Sequence, residues 1–348
     1  MTEFFSLSRA EQRDALEVVA TRSGRPPHLL EKDLWVVWSL RHLFAGPHAD
    51  HLVFKGGTSL SKAYGAIRRF SEDIDLTYDI RAIAGDLIGD TGEPLPPNRS
   101  QEKRWTKAIR TRLSAWVMTE MLPSIQDELG RQRLPAAASV DGDKVLIAYE
   151  PLSCGTGYVS PVVMLEFGAR CTGEPSHLRR IHCDAAAHLR EIAFPDTTAR
   201  VMRAERTFWE KATAIHVYCA QGEFRGSARF ARHWHDLVRL DDVGLADAAL
   251  ADRGLAHAVA KHKGIFFAEK FPGGEPIDYG VAVSGGLRLV PDDKALSALA
   301  SDYQHMIDDG LLLDDGEPFE ILLERCATIE RRANDLARGT EPLPEKTF

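Results

Sequence analysis

Lys55-Gly56-Gly57-Thr58-Ser59-Leu60 and, with fourteen residues between Thr58 and Asp73, Asp73-Ile74-Asp75-Leu76-Thr77-Tyr78 are the two stretches that decide the fold. The run just before them, His51-Leu52-Val53-Phe54, is short, apolar and β-prone, and the paired glycines stop it before a new helix. Ile74-Asp75-Leu76-Thr77-Tyr78 reads as a second strand, on which Asp73 and Asp75 share a face because side chains alternate. Two hard oxygen ligands on one face suit Mg²⁺, with nucleotide phosphates completing its coordination. Gly56-Gly57-Thr58, continued by Ser59, offers unobstructed backbone N–H groups, hydroxyls and the positive end of a helix dipole, all suited to phosphate. The spacing therefore describes a cradle for a metal-bound triphosphate.

Working outward, Val162-Val163-Met164-Leu165-Glu166-Phe167 is apolar enough for a central strand. An ionised Glu166 among core residues is expensive unless paired or metal-bound, which makes it the candidate third carboxylate of a two-metal site. Lys55 and Lys62 flank the glycine turn, and Lys62 is read as a phosphate contact; Ser71 places a hydroxyl two residues before Asp73, beside the metal pair. Upstream, Ser8 and Glu11 form a capping-box pattern, and a second helix follows Pro26-Pro27. Downstream, residues 85–99 read as a loop and residues 101–130 as one long helix carrying Lys103, Arg104, Lys107, Arg110 and Arg112, the expected acceptor side. Beyond Pro195 helices are expected, beginning with residues 201–220, and Arg200, Arg203, Arg206, Lys211, Arg225, Arg229, Arg232 and Arg239 crowd this stretch as a candidate positive wall for RNA.

The 348 residues are 44% hydrophobic and 27% charged, an ordinary globular composition. A net charge of -8 argues against coating long nucleic acid by charge alone. Five scattered cysteines, Cys154 among them, contain no CxxC pair and read as reduced thiols of a cytoplasmic chain; no segment reads as a signal peptide or membrane span. The histidines show no metal-ligand spacing and are read as structural.

His51 to Lys62, followed by Arg69-Phe70-Ser71-Glu72-Asp73-Ile74-Asp75-Leu76, resembles the nucleotidyltransferase core of the AbiEii/AbiGii (MenT-like) toxin family, within the DNA polymerase β-like superfamily. Glu31-Lys32-Asp33-Leu34-Trp35, Glu205-Arg206-Thr207-Phe208-Trp209-Glu210-Lys211, Arg232-His233-Trp234-His235-Asp236-Leu237 and Asp302-Tyr303-Gln304-His305-Met306 are similar to the family as well. The resemblance implies a toxin of a toxin–antitoxin or abortive-infection module that uses NTP with Mg²⁺, or Mn²⁺, to modify RNA, tRNA acceptor ends foremost, with a cognate antitoxin as a further partner. Carried over by position, Gly57 and Thr58 match the phosphate turn, Asp73 and Asp75 the metal pair, Lys211 the lysine of the helical domain and Asp236 an acidic residue further on. Many members have an aspartate where this chain has His233, so either His233 or Asp236 faces the nucleotide.

The expected architecture is α+β. A polymerase β-like nucleotidyltransferase lobe with N-terminal helices covers residues 1–195, and a mainly helical lobe over residues 196–348 closes over the nucleotide. The expected reaction moves a nucleoside monophosphate from NTP to RNA. The same chemistry on a small molecule or protein side chain, and a silent nucleotide- or antitoxin-binding protein, are the alternatives.

Overall fold

The computed structural model describes residues 1–67, 69–71, 73–89, 92–153, 159–222, 230–308, 312 and 316–340. Glu72, Cys154, Arg225 and Arg229 lie outside these described residues. The chain divides into two compact units: Met1–Gly65 with Ser71–Pro94 and Lys103–Met202, and Ala66–Phe70 with Leu95–Glu102 and Arg203–Phe348.

In chain order the first unit holds β1 (Thr2–Glu3), α1 (Arg9–Ser23), α2 (Pro27–Ala45), β2 (Leu52–Lys55), α3 (Gly56–Lys62), β3 (Ile74–Tyr78) and α4 (Ile80–Ile88). After these come α5 (Arg99–Trp116), whose first residues belong to the second unit, α6 (Leu122–Arg131), β4 (Ala136–Asp141), β5 (Lys144–Tyr149), β6 (Val162–Gly168), β7 (Ser176–His182), β8 (Ile192–Ala193) and β9 (Asp196–Met202). α1 starts at the expected capping box, Ser8 accepting from the Glu11 backbone while Glu11 accepts from that of Ser8, and Pro27 opens α2 where a missing N–H costs nothing.

Seven strands form one mixed sheet in the order β4-β5-β6-β3-β2-β9-β7. β3 runs antiparallel to β2 and parallel to β6, with Ile74 opposite Leu165 and Leu76 opposite Phe167. Those residues and Phe54 are at most 1% exposed, so this face is the core, covered in part by α2 through Trp35 stacked on Tyr149. The pleat sends the alternate residues, Asp75 and Glu166 among them, to the other face.

Several elements differ from expectation. Ile80–Ile88 is a helix capped by Asp79, so the expected loop begins later. The long helix after residue 99 exists, with one π turn at Val117–Met121 ahead of Pro123. Val201 and Met202 close strand β9, so the helix expected from residue 201 starts at Ala204.

α2 buries three consecutive charged residues, Glu31, Lys32 and Asp33. Successive helical residues point about 100° apart, so each meets a different neighbour. Glu31 accepts the Leu152 N–H at 3.0 Å, Lys32 Nζ donates to the Ser160 and Val162 carbonyls, and Asp33 accepts the Asp184 N–H at 2.7 Å.

The second unit is helical: α7 (Ala204–Gln221), α8 (Arg232–Asp242), α9 (Leu245–Ala251), α10 (Arg253–Phe266), α11 (Tyr279–Val283), α12 (Asp293–Asp308) and α13 (Phe319–Thr340). Buried Trp209 and Trp234 each bury an indole N–H on a carbonyl, of Ala249 at 2.8 Å and Leu289 at 2.6 Å. Among the described residues no helix is long and apolar enough to cross a membrane.

Burial pushes the Glu31 carboxyl up to about 7, against the opposing pull of the Leu152 N–H and Arg9. A raised acid pKa favours the protonated folded state, so Glu31 contributes stability below about pH 4.5 that is lost as pH rises through 7. Urea midpoints taken across this window are expected to fall more steeply for the wild type than for Glu31→Gln; parallel curves would refute the assignment.

Candidate functional site

Backbone register sets the site. Lys55 on β2 is opposite Asp75 on β3, Asp75 is opposite Glu166 on β6, and Glu166 is opposite Lys144 on β5. Residues paired across a sheet share a face, so these four side chains form one row, ordered cation, anion, anion, cation. Asp73, one residue before β3, lies two positions from Asp75 on the same side. Lys144 Nζ is 2.9 Å from Glu166 Oε2, and this bond, with Asp143 and Asp73 adding charge, holds the ammonium above its usual range. Glu166 was expected among core neighbours; its side chain is 45% exposed and its partner is Lys144. Lys144 carried no signal of its own, because only the register of β5 brings it to this row.

Gly56 is fixed by two demands at once. Its φ of 75° lies in the left-handed region, and a Cβ there would come within 2.0 Å of Asp75 Oδ2. The glycine lets the Asp75 carboxylate lie against the start of α3, and Gly57 continues the first turn. Lys55, which precedes that turn, makes no side-chain cap to it.

The hydroxyls expected at phosphate have internal partners. Thr58 Oγ1 donates to the Asp73 carbonyl at 2.5 Å, so Ser71 Oγ, 2.8 Å away, donates to Thr58. This pair ties the entry of the aspartate strand to the glycine turn. Ser59 Oγ donates back to the Gly56 carbonyl at 2.9 Å.

Lys62 ends α3 inside a closed network. Its Nζ lies 2.5 Å from Asp33 Oδ1 and 2.8 Å from Asp184 Oδ1, and Arg25 pairs with the other Asp184 oxygen. Burial alone would depress the ammonium; Asp33 and Asp184 overcome it and hold it above its ordinary range. Two cations and two anions thereby anchor the far end of the glycine-turn helix to α2.

In the second unit, Arg69 binds Asp236 bidentately at 2.7 and 2.8 Å, and Lys211 Nζ reaches the same carboxylate at 2.8 Å. Asp236 is fully buried, and although burial would raise its pKa, Arg69 and Lys211 hold it well below the usual carboxylate range. Burial lowers Lys211, with Asp236 opposing. The guanidinium that binds Asp236 comes from Arg69, far away in sequence. The half-buried His233 ring packs edge-on against Phe230 with centroids 4.8 Å apart.

Residues 38–325 match the family described as "Nucleotidyl transferase AbiEii toxin, Type IV TA system". The chain belongs to this family. It is therefore a nucleotidyltransferase of a toxin–antitoxin system, a class whose substrate is an NTP. No curated protein matches the chain. Among solved structures it is similar to MenT4, a nucleotidyltransferase toxin of Mycobacterium tuberculosis, at 17% identity over 93% of this chain and 99% of that one, with a TM-score of 0.38.

Two outcomes follow from the geometry. Gly56→Ala displaces the Asp75 carboxylate, and nucleotide transfer is expected to drop on the order of 10²-fold; full activity in this variant would refute the close approach. Lys62→Met leaves buried carboxylates uncompensated and should cost ~3–5 kcal/mol in a denaturant titration, with the Lys62→Met/Asp33→Asn pair losing less than the sum of its singles.

Proposed function

We propose that the carboxylate face of the first unit transfers a nucleoside monophosphate from NTP to the end of an RNA, tRNA acceptor ends foremost. The observation that carries this reading is the pairing of Asp75 with Glu166 on neighbouring strands, with Asp73 two positions before Asp75, beside the glycine turn that opens α3.

Among the described residues no three His, Cys, Asp or Glu side chains form a ready ion cage. Mg²⁺ takes one or two carboxylates and leaves its other positions to water and substrate phosphates. Asp73 and Asp75 would hold it, Mn²⁺ being the other hard cation the oxygen set accepts, and it would neutralise charge developing on the phosphates. The first-turn amides of α3 bind the triphosphate oxygens. Glu166 orients the acceptor hydroxyl and accepts its proton as that oxygen forms the new bond to the α-phosphorus and the bond to pyrophosphate breaks. Lys144 holds Glu166 in place.

Thr58, Ser59, Ser71 and Lys62 support this cradle from behind, through the hydrogen bonds and ion pairs given above. Lys211 and Asp236 serve by fixing Arg69, four residues before Asp73 in the chain.

Purified wild type, Asp73→Ala and Asp75→Asn are incubated with each labelled NTP, total tRNA and Mg²⁺, with and without chelator, and resolved on a denaturing gel. Label on tRNA from the wild type alone, lost with chelator, is the expected result. Metal-dependent NTP binding without label on any RNA would overturn the acceptor, and transfer by both variants would overturn the site.

A further inference from the structure

Several cations of the first unit are neutralised. Arg81, Arg112, Arg131, Lys144 and Arg180 each have a carboxylate between 2.5 and 2.9 Å away. Of the stretch expected as a positive wall, Arg203 pairs with Glu205, Arg206 with Glu210 and Arg239 with Asp242.

α5 departs from this pattern. Lys103, Arg104, Lys107 and Arg110 are exposed, and among the described residues none of their side chains has an ion-pair or hydrogen-bond partner. Their spacing puts them on one face of the helix along about 10 Å of its axis. The opposite face is seated: Trp105, Ile109 and Leu113 are buried, and Arg112 grips Asp86 of α4. The four charges are therefore presented by a fixed element. At its other end α5 packs Trp116 on Tyr78 and Phe167, at centroid distances of 4.3 and 5.4 Å. Those rings project from the core face of the sheet, so α5 lies on the side away from Asp75 and Glu166.

We propose that this face of α5 docks the phosphate backbone of a folded RNA, as an anchor separate from the carboxylate face. The proposal rests on the RNA reading given above. A row of bare cations fits sequence-independent phosphate contacts, which position a substrate without reading it. In a chain of net charge -8, such a row is also where a polyanion is drawn. Its distance from the carboxylates means that only an RNA large enough to reach around the sheet engages both.

The test compares wild type with the Lys103→Gln/Arg104→Gln/Lys107→Gln/Arg110→Gln variant, whose new residues keep helix propensity and touch nothing buried. Affinity for total tRNA and for a short oligonucleotide of the tRNA 3′ end is measured between about 50 and 200 mM salt. Wild type is expected to lose on the order of 10²-fold in tRNA affinity over this range, and the variant's log–log salt slope to be shallower by roughly 3. The short oligonucleotide should bind and be labelled equally by both proteins. Unchanged tRNA affinity and slope in the variant, with label still transferred to tRNA, would overturn the surface while leaving the reaction intact. Equal loss on the short oligonucleotide would place the charges at the transfer site and overturn the separate anchor. Failure of the wild type to bind or label any RNA would overturn the RNA reading and the surface with it.

Discussion

The register between β3 and β6 is the constraint on which the rest of the site depends. Asp75 and Glu166 stand side by side on neighbouring strands, a placement that like charges disfavour. It is held from behind by apolar residues: Ile74 against Leu165 and Leu76 against Phe167 are buried pairs. A slip of β3 by one residue would turn Ile74 and Leu76 to the polar face and Asp75 into the core. Hydrophobic burial on one side of the sheet thus fixes charge on the other. Lys55 and Lys144 close the row at both ends, and Gly56 clears the space that Asp75 fills.

The two lysines that resemblance or position would bring to phosphate, Lys62 and Lys211, both serve as buried counterions. Each is held by carboxylates within 2.8 Å. A buried ion pair adds little net stability, because desolvation offsets most of the attraction, yet removing one partner strands a charge. Such pairs therefore act as geometric fasteners. One fixes the C-terminal end of the helix that begins at the glycine turn; the other fixes Arg69, in the chain segment that leads to Asp73.

Local signals in the chain were read well where the physics is local. The Ser8–Glu11 cap, Pro27 at a helix start, the glycine break after β2 and the alternation of β3 each depend on residues within a few positions. β4 escaped because Ala136-Ala137-Ala138 has no β preference and is a strand only by pairing with β5. The helix Ile80–Ile88 hid behind the Gly- and Pro-rich residues that follow it. Of the site, Asp75 and Glu166 were legible as carboxylates on strands, and Asp73 as the carboxylate two positions before Asp75. Lys144, Asp33, Asp184 and Arg69 were not, since each meets its partner across a wide gap in sequence.

By itself the sequence determined the elements that bear the chemistry: a strand, a glycine turn opening a helix, and a second strand that carries Asp75 and is entered through Asp73. These follow from backbone permissiveness and the period of two, which act between near neighbours. Only the tertiary structure decided which charges are exposed and which are consumed internally. Lys62 and Lys211 went inward while four cations of α5 stayed outside, because burial and pairing depend on what distant segments bring within a few ångströms.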